Sequence, residues 1–366
     1  MSVRVLRNAL LMMLVTLMAG CNAVVLHPSG DVALQQRNLI LASTVLMLLV
    51  IVPVIVLTFL FAWRYRQSNT EAVYEPDWHH STGLELVIWS APLLIIIALG
   101  ALTWIGTHTL DPYRPIGRLA AGKAVPEGVK PLKVQVVALD WKWLFIYPDY
   151  GIATVNELAA PVDVPIEFTI TASTVMNSFF VPALAGQIYA MPGMQTELHA
   201  VINTAGDYEG FSANYSGAGF SGMRFRFKGL SGSDFDQWMA SVKAGNEALG
   251  REAYMALEKP SANEPVHRYA TVAPALYNKI LNLCVDPNKM CMSDMMSIDA
   301  KGGLGLAAAY NVSHLAYDAP RKRDEAASLA PRRDFVTALC ADDDMKAGQS
   351  PVILTAPSYG SSRLAP

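Results

Sequence analysis

The chain has 366 residues, 52% of them apolar and only 16% charged, with a mean hydropathy of +0.28. So few charges beside a positive hydropathy argue against an ordinary soluble protein and for a membrane protein carrying a polar domain. A formal net charge of -3 supplies no basic stripe, which excludes nucleic acid as a partner.

The amino terminus reads as a secretion signal covering residues 1–20. Arg4 and Arg7 form its charged start, and Leu10 to Leu17 its apolar core, too short to span a bilayer. Leu17-Met18-Ala19-Gly20-Cys21 then sets small residues directly before a cysteine. The string is similar to the lipobox of bacterial lipoproteins, which implies lipid chains on Cys21. Two or more acyl chains suffice for stable anchoring. The alternative is an ordinary signal peptide with a chance cysteine.

Residues 21–110 read as a transmembrane hairpin. Leu39 to Trp63 is a run of about 25 residues without a charge, and its single proline, Pro53, is tolerated in a membrane helix. Leu86 to Ile105, about 20 residues, has Trp89 and Trp104 toward its ends, where aromatic belts sit. A lipidated Cys21 lies outside the cytoplasm, so the first span runs inward, and Arg64 and Arg66 follow it as the positive-inside rule expects. Arg114 and Arg118 flank the second span's far end and weaken that count, so the signal decides the orientation. The expected address is the bacterial inner membrane, with everything after about Thr107 in the periplasm. Glu85 stands at the cytoplasmic start of the second span. On the residues alone it reads first as an interfacial carboxylate facing water, and Asp77, His79 and His80 as solvated loop residues.

From Pro131 to about Gly229 the period becomes that of strands. Leu132 to Val136, Ile166 to Ile170 and Arg224 to Phe227 alternate apolar with polar, separated by turn signals at Pro148 to Gly151, Ala160-Pro161, Met191 to Gly193 and Ala205 to Asp207. Many short strands over this length indicate a Greek-key sandwich or barrel, assigned to residues 111–229. Ser233 to Leu257 reads as one helix, with Phe235, Trp238, Met239 and Val242 at helical spacing, within a helical extension over 230–290. Residues 291–366 read as a partly disordered tail.

The cysteines are Cys21, Cys284, Cys291 and Cys340. In an oxidising compartment Cys284 and Cys291 are close enough in sequence for a local disulfide, with an unpaired state equally open. Met290, Met292, Met295 and Met296 surround Cys291 and offer soft ligands for Cu(I), although a packed or oxidisable methionine patch fits them better.

Several uncommon strings then occur in one order: Phe61-Ala62-Trp63-Arg64-Tyr65-Arg66, Asp140-Trp141-Lys142-Trp143, Gly151-Ile152-Ala153-Thr154-Val155-Asn156-Glu157, Val175-Met176-Asn177-Ser178-Phe179-Phe180-Val181-Pro182 and Gln187-Ile188-Tyr189-Ala190-Met191. Over roughly Leu17 to Asp286 the chain resembles subunit II of the haem–copper oxidases, most closely that of the bo-type ubiquinol oxidases. The resemblance implies two transmembrane helices bearing an external all-β cupredoxin barrel. It also implies a role as one subunit of a proton-translocating ubiquinol oxidase, with the haems, the active-site copper and the quinol site in a partner subunit I. On the family pattern Glu85 lies at the mouth of a proton channel into that subunit.

The family's copper loop reads roughly G-x-C-x-E-x-C-x-x-x-H-x-x-M, with a further histidine on an earlier strand. Laid on Gly210, it puts Ser212 and Ser216 at the thiolate positions, Asn214 at the carboxylate, Phe220 at the imidazole and Met223 at the thioether. Asn177 falls at the earlier histidine. Two coppers sharing electrons need bridging thiolates and imidazoles, and a serine hydroxyl does not ionise near neutral pH. The expectation is a chain that binds no metal or cofactor and docks no cytochrome c. Trp141 and Trp143, at the positions that receive cytochrome c electrons in the related enzymes, become packing residues. The rivals are a cytochrome c oxidase subunit II with a copper centre, and a cupredoxin-fold assembly or scaffold lipoprotein.

Overall fold

A computed structural model describes residues 23–300, apart from residues 74 and 76. The signal segment, Cys21, Cys340 and the tail from residue 301 lie outside the described residues. The chain divides into two compact units, Met1–Leu281 and Asn282–Pro366.

The first unit opens with two long helices, α1 (Asp31–Arg64) and α2 (Thr82–Thr109). Both contain the apolar runs whole and extend past them. The helix dipole favours these ends: Asp31 lies in the first turn of α1, Arg64 in its last, and Glu85 in the first turn of α2. The helices approach closely at Gly106, where an added Cβ would come 3.0 Å from Leu39 Cδ2, as small residues permit between membrane helices. The first two turns of α1 stand on the β-domain. Ser29 N and Gly30 N both donate to Ala183 O (3.0 and 2.8 Å), and Asn203 N donates to Ser29 O (2.9 Å). A Cβ at Gly30 would lie 2.6 Å from Val201 O, so only glycine allows this contact.

After a small ribbon of β1 (Arg118–Ala120) and β2 (Lys123–Ala124) come β3 (Leu132–Leu139), β4 (Lys142–Tyr147), β5 (Ile152–Val155), β6 (Glu157–Pro161), β7 (Pro165–Ala172), β8 (Asn177–Phe180), β9 (Ile188–Ala190), β10 (Thr196–Val201), β11 (Gly206–Ser212) and β12 (Arg224–Leu230). Helices α3 (Gly232–Lys243) and α4 (Arg251–Glu258) follow, with β13 (Ala248–Leu249) between them, and then β14 (His267–Tyr269), β15 (Thr271–Val272) and α5 (Leu276–Leu281). One sheet runs β10-β7-β3-β4-β5-β14 and the other β6-β12-β11-β8-β9. Their inner faces close on an aromatic core in which Phe179 and Phe225 stack at 5.5 Å, with Trp143 edge-on to both. Tyr147 ties the two sheets together: its buried hydroxyl donates to Ala159 O and accepts from Ala159 N, each at 2.9 Å. Burial pushes that phenol well above its ordinary pKa.

The structure corrects three sequence expectations. Ala160-Pro161 ends strand β6 instead of forming a turn. Proline is the last residue of the strand, where its missing N–H costs the ladder nothing further. Ser233 to Leu257 is two helices, interrupted around Gly245 and Asn246, both poor helix formers, with a parallel β13–β15 pair in the gap. The extension after residue 230 is not purely helical, because β14 pairs antiparallel with β5 and completes the six-stranded sheet. The expected helix face does hold: Phe235, Trp238, Met239 and Val242 are all buried, and Ser231 caps α3 by accepting from Asp234 N.

In the second unit Cys284 and Cys291 form a disulfide, with Cα atoms 4.7 Å apart. Helix α6 (Met292–Ala300) follows, so the tail expected from residue 291 begins with a helix.

Candidate functional site

The loop laid against the copper pattern lies between β11 and β12. Adjacent strands set its polar groups: Asn177 opens β8, Ser212 closes β11, and the two strands pair at Ser212 and Phe179. Ser212 Oγ lies 3.0 Å from Asn177 Oδ1 and 3.2 Å from the Asn214 carbonyl, two acceptors for its single proton, and it accepts from Ser178 N at 3.4 Å. Asn177 Nδ2 donates to Val175 O and Asn214 Nδ2 to Met176 O, each at 3.2 Å. The structure therefore gathers Asn177, Ser212 and Asn214 into one hydrogen-bonded knot.

The other three positions do not join it. Ser216 Oγ is buried without a hydrogen-bond partner, while the Ser216 carbonyl accepts from Trp141 Nε1 at 3.1 Å. The Trp141 ring lies against Gly219, where a Cβ would come 2.4 Å from its Cδ2. Phe220 is half-buried and packs edge-on to the exposed Tyr215 at 5.5 Å. Met223 is wholly buried in the aromatic core. Trp143 is also wholly buried, whereas Trp141 is only half-covered. Among the described residues no three His, Cys, Asp or Glu side chains gather as a metal site would need.

At the other end of the helices, Glu85 Oε1 lies 2.6 Å from His80 Nδ1, both side chains at least half exposed. His79 turns away, its Nδ1 2.6 Å from the Asp77 carbonyl.

Sequence reading missed two charged joints. Glu157 is almost fully buried on β6, and Lys228 from β12 and Arg268 from β14 both pair with it, the arginine through two bonds of 2.7 and 2.9 Å. Burial alone would raise the Glu157 carboxyl, but the hydrogen bonds and charges of Arg268 and Lys228 outweigh it and hold the group below its usual range. Lys142, in the Trp-rich string, is 1% exposed, and its Nζ donates to Leu257 O (2.8 Å) and Lys259 O (2.7 Å). Neither partner set could be found locally, since more than a hundred residues separate Glu157 from Arg268 and Lys142 from Leu257.

Two membrane-length helices leading into a two-sheet β-domain with this loop define the second-subunit class of the haem–copper oxidases. Residues 150–229 match the family described as cytochrome c oxidase subunit II, periplasmic domain, and residues 243–288 the one described as COX aromatic rich motif. A cytochrome bo(3) ubiquinol oxidase subunit 2 from Pseudomonas putida is 52% identical over 266 residues, covering 73% of this chain and 82% of that protein. The ubiquinol oxidase subunit 2 of Acetobacter aceti is likewise 52% identical, covering 72% and 84%, and the quinol oxidase subunit 2 of Bacillus anthracis 36% identical, covering 70% and 86%. The chain belongs to the ubiquinol oxidase subunit 2 family. The expectations of a quinol oxidase second subunit, with two membrane helices and a cupredoxin-type β-domain, are met.

Proposed function

We propose that this chain is the copper-free second subunit of a terminal oxidase that takes electrons from ubiquinol, reduces oxygen to water and conserves the energy as a proton gradient. The single observation that carries the copper-free part is the knot of Asn177, Ser212 and Asn214. It offers neutral hydroxyl and amide groups, already satisfied by one another and by backbone, where a copper pair needs bridging thiolates and imidazoles. Such donors do not fit the metal centre, so no electron-transfer step is routed through this chain. Haems, active-site copper and the quinol site belong on this reading to subunit I. The chain contributes two helices, an external cap and the lipid anchor at Cys21. The domain stands in the periplasm, with cap and anchor on the same side of the inner membrane.

Oxygen uptake by the complex, purified through a tag on this chain, tests the reading. Rapid uptake with ubiquinol and none with reduced cytochrome c is expected, with no copper beyond that of the haem-bearing subunit. Uptake with cytochrome c would overturn it, and uptake with neither donor despite bound haem would favour a scaffold role.

Glu85 is proposed as the entrance of a proton path into subunit I, a reading supported by its place in the first turn of α2, at the same end of the helix pair as Arg64, and by the adjoining His80. Glu85→Gln should slow steady-state turnover several-fold without changing haem content. Unaltered kinetics would end the idea.

A further inference from the structure

A cavity of about 370 Å³ opens where α1 and α2 meet the β-domain, within the size range of small-molecule sites. Its charged lining comprises Asp31 and Arg118, on one side, and Asp111 and Arg114, on the turn just after α2. The first two cancel each other: Arg118 donates two bonds, of 2.9 and 3.2 Å, to the buried Asp31 carboxylate. The second two do not. Among the described residues Arg114 has no ion pair, and its guanidinium donates to the His108 carbonyl at 3.1 Å. The Asp111 carboxylate likewise has no cation, and accepts the Tyr113 N–H at 3.0 Å. One unpaired cation and one unpaired anion therefore border the same opening.

The depth of the cavity in the bilayer follows from the helices. Trp104 and Ile105, one turn before the end of α2, are apolar and 68% and 58% exposed, while Thr109 ends this membrane-length helix at the cavity rim. This is the headgroup level of the leaflet facing the β-domain. We propose that the cavity seats the headgroup of a zwitterionic phospholipid of the phosphatidylethanolamine type. Its phosphate is held by Arg114 and its ammonium by Asp111, and its acyl chains descend along the exposed apolar faces of α1 and α2. Charge balance selects the zwitterion: an anionic lipid such as phosphatidylglycerol satisfies Arg114 but brings no cation to Asp111, whose carboxylate then stays unpaired. The guanidinium fork suits a phosphate oxygen pair. The site does not depend on which donor the complex oxidises.

The test uses the whole complex, purified in mild detergent and stripped of lipid. Phosphatidylethanolamine, phosphatidylglycerol or soluble phosphoethanolamine is then added, and retained lipid is read by native mass spectrometry. Arg114→Gln and Asp111→Asn are each expected to weaken phosphatidylethanolamine retention about tenfold or more, the loss of one charge-assisted bond. Arg114→Lys, which keeps the charge, should retain the lipid and guards against a variant that merely fails to assemble. Unchanged retention in both charge-removing variants overturns the site. Equal retention of phosphatidylglycerol overturns the zwitterion, and displacement by equimolar phosphoethanolamine would show that a free phosphoester, not a membrane lipid, is the ligand.

Discussion

Glu157→Gln should destabilise the β-domain by about 3 kcal/mol, the low end of what breaking a buried ion pair costs. Its carboxylate is almost fully buried, whereas the Lys228 and Arg268 side chains are 34% and 40% exposed and can be partly resolvated. For a domain of this size the change amounts to a fall of about 6–12 °C in the midpoint of thermal unfolding, measurable on the purified complex. The geometry explains why one residue matters so much. Glu157 and Lys228 belong to one sheet and Arg268 to the last strand of the other, so the carboxylate joins the two sheets and anchors β14 at once. The pH dependence has a definite sign. The folded Glu157 carboxyl is held below its ordinary 4.5, so its contribution is fully present above that value and is lost as the pH falls through the lowered one. Glu264, held low by bonds from Ser261 and His267, and Asp163, held low by Lys123 and Asn203, titrate in the same direction. The informative quantity is therefore the gap between wild type and Glu157→Gln, which should be constant from neutral pH to about pH 5 and close below the ordinary carboxylate range. A gap that persists at low pH would assign the loss to packing and not to charge.

What the sequence made legible is what a local pattern encodes. Two apolar runs without charges predict helices because any other backbone would leave polar groups unpaired in lipid. The alternation in Leu132 to Val136 and Ile166 to Ile170 predicts strands because successive side chains face opposite sides. The loop residues were readable because a ligand set has fixed spacing, and laying the family pattern on Gly210 sets Ser212 and Ser216 against its thiolate positions. The replacement chemistry was not readable. That Ser212 would reach Asn177 depends on β8 and β11 becoming neighbours, and that Phe220 would pack on Tyr215 depends on the short turn of Phe220–Gly222. The three residues of β14 are too few to carry a period, and only pairing with β5 makes them a strand. The same holds for Arg114 and Asp111. As sequence they are a cation and an anion near a span. Their common cavity appears only when α1 is set down on the β-domain through Gly30.

The second large effect is expected at Lys142. In Lys142→Met the side chain keeps most of its length, and what disappears is the donor to the Leu257 and Lys259 carbonyls at the end of α4. Burial lowers the pKa of this lysine, an effect that nearby Glu264 and Asp140 only partly offset, so holding a charge here has a real desolvation cost. Removing that charge returns some free energy, but leaving two acceptors without a donor costs about 1–3 kcal/mol each, and the net loss should be about 2–3 kcal/mol. The loss should also be local. Helix α4 is eight residues long and has no side-chain cap at its start, and the lysine bonds two carbonyls at its other end. Hydrogen exchange on the purified complex should show amides of residues 251–259 exchanging faster in Lys142→Met, with β3 and β7 still protected. Unchanged exchange over that helix would mean that its buried Tyr254 and Leu257 hold it without the lysine. Faster exchange there would make the aromatic-rich segment an integral part of the β-domain, bonded to it through a residue of strand β4 that lies between Trp141 and Trp143.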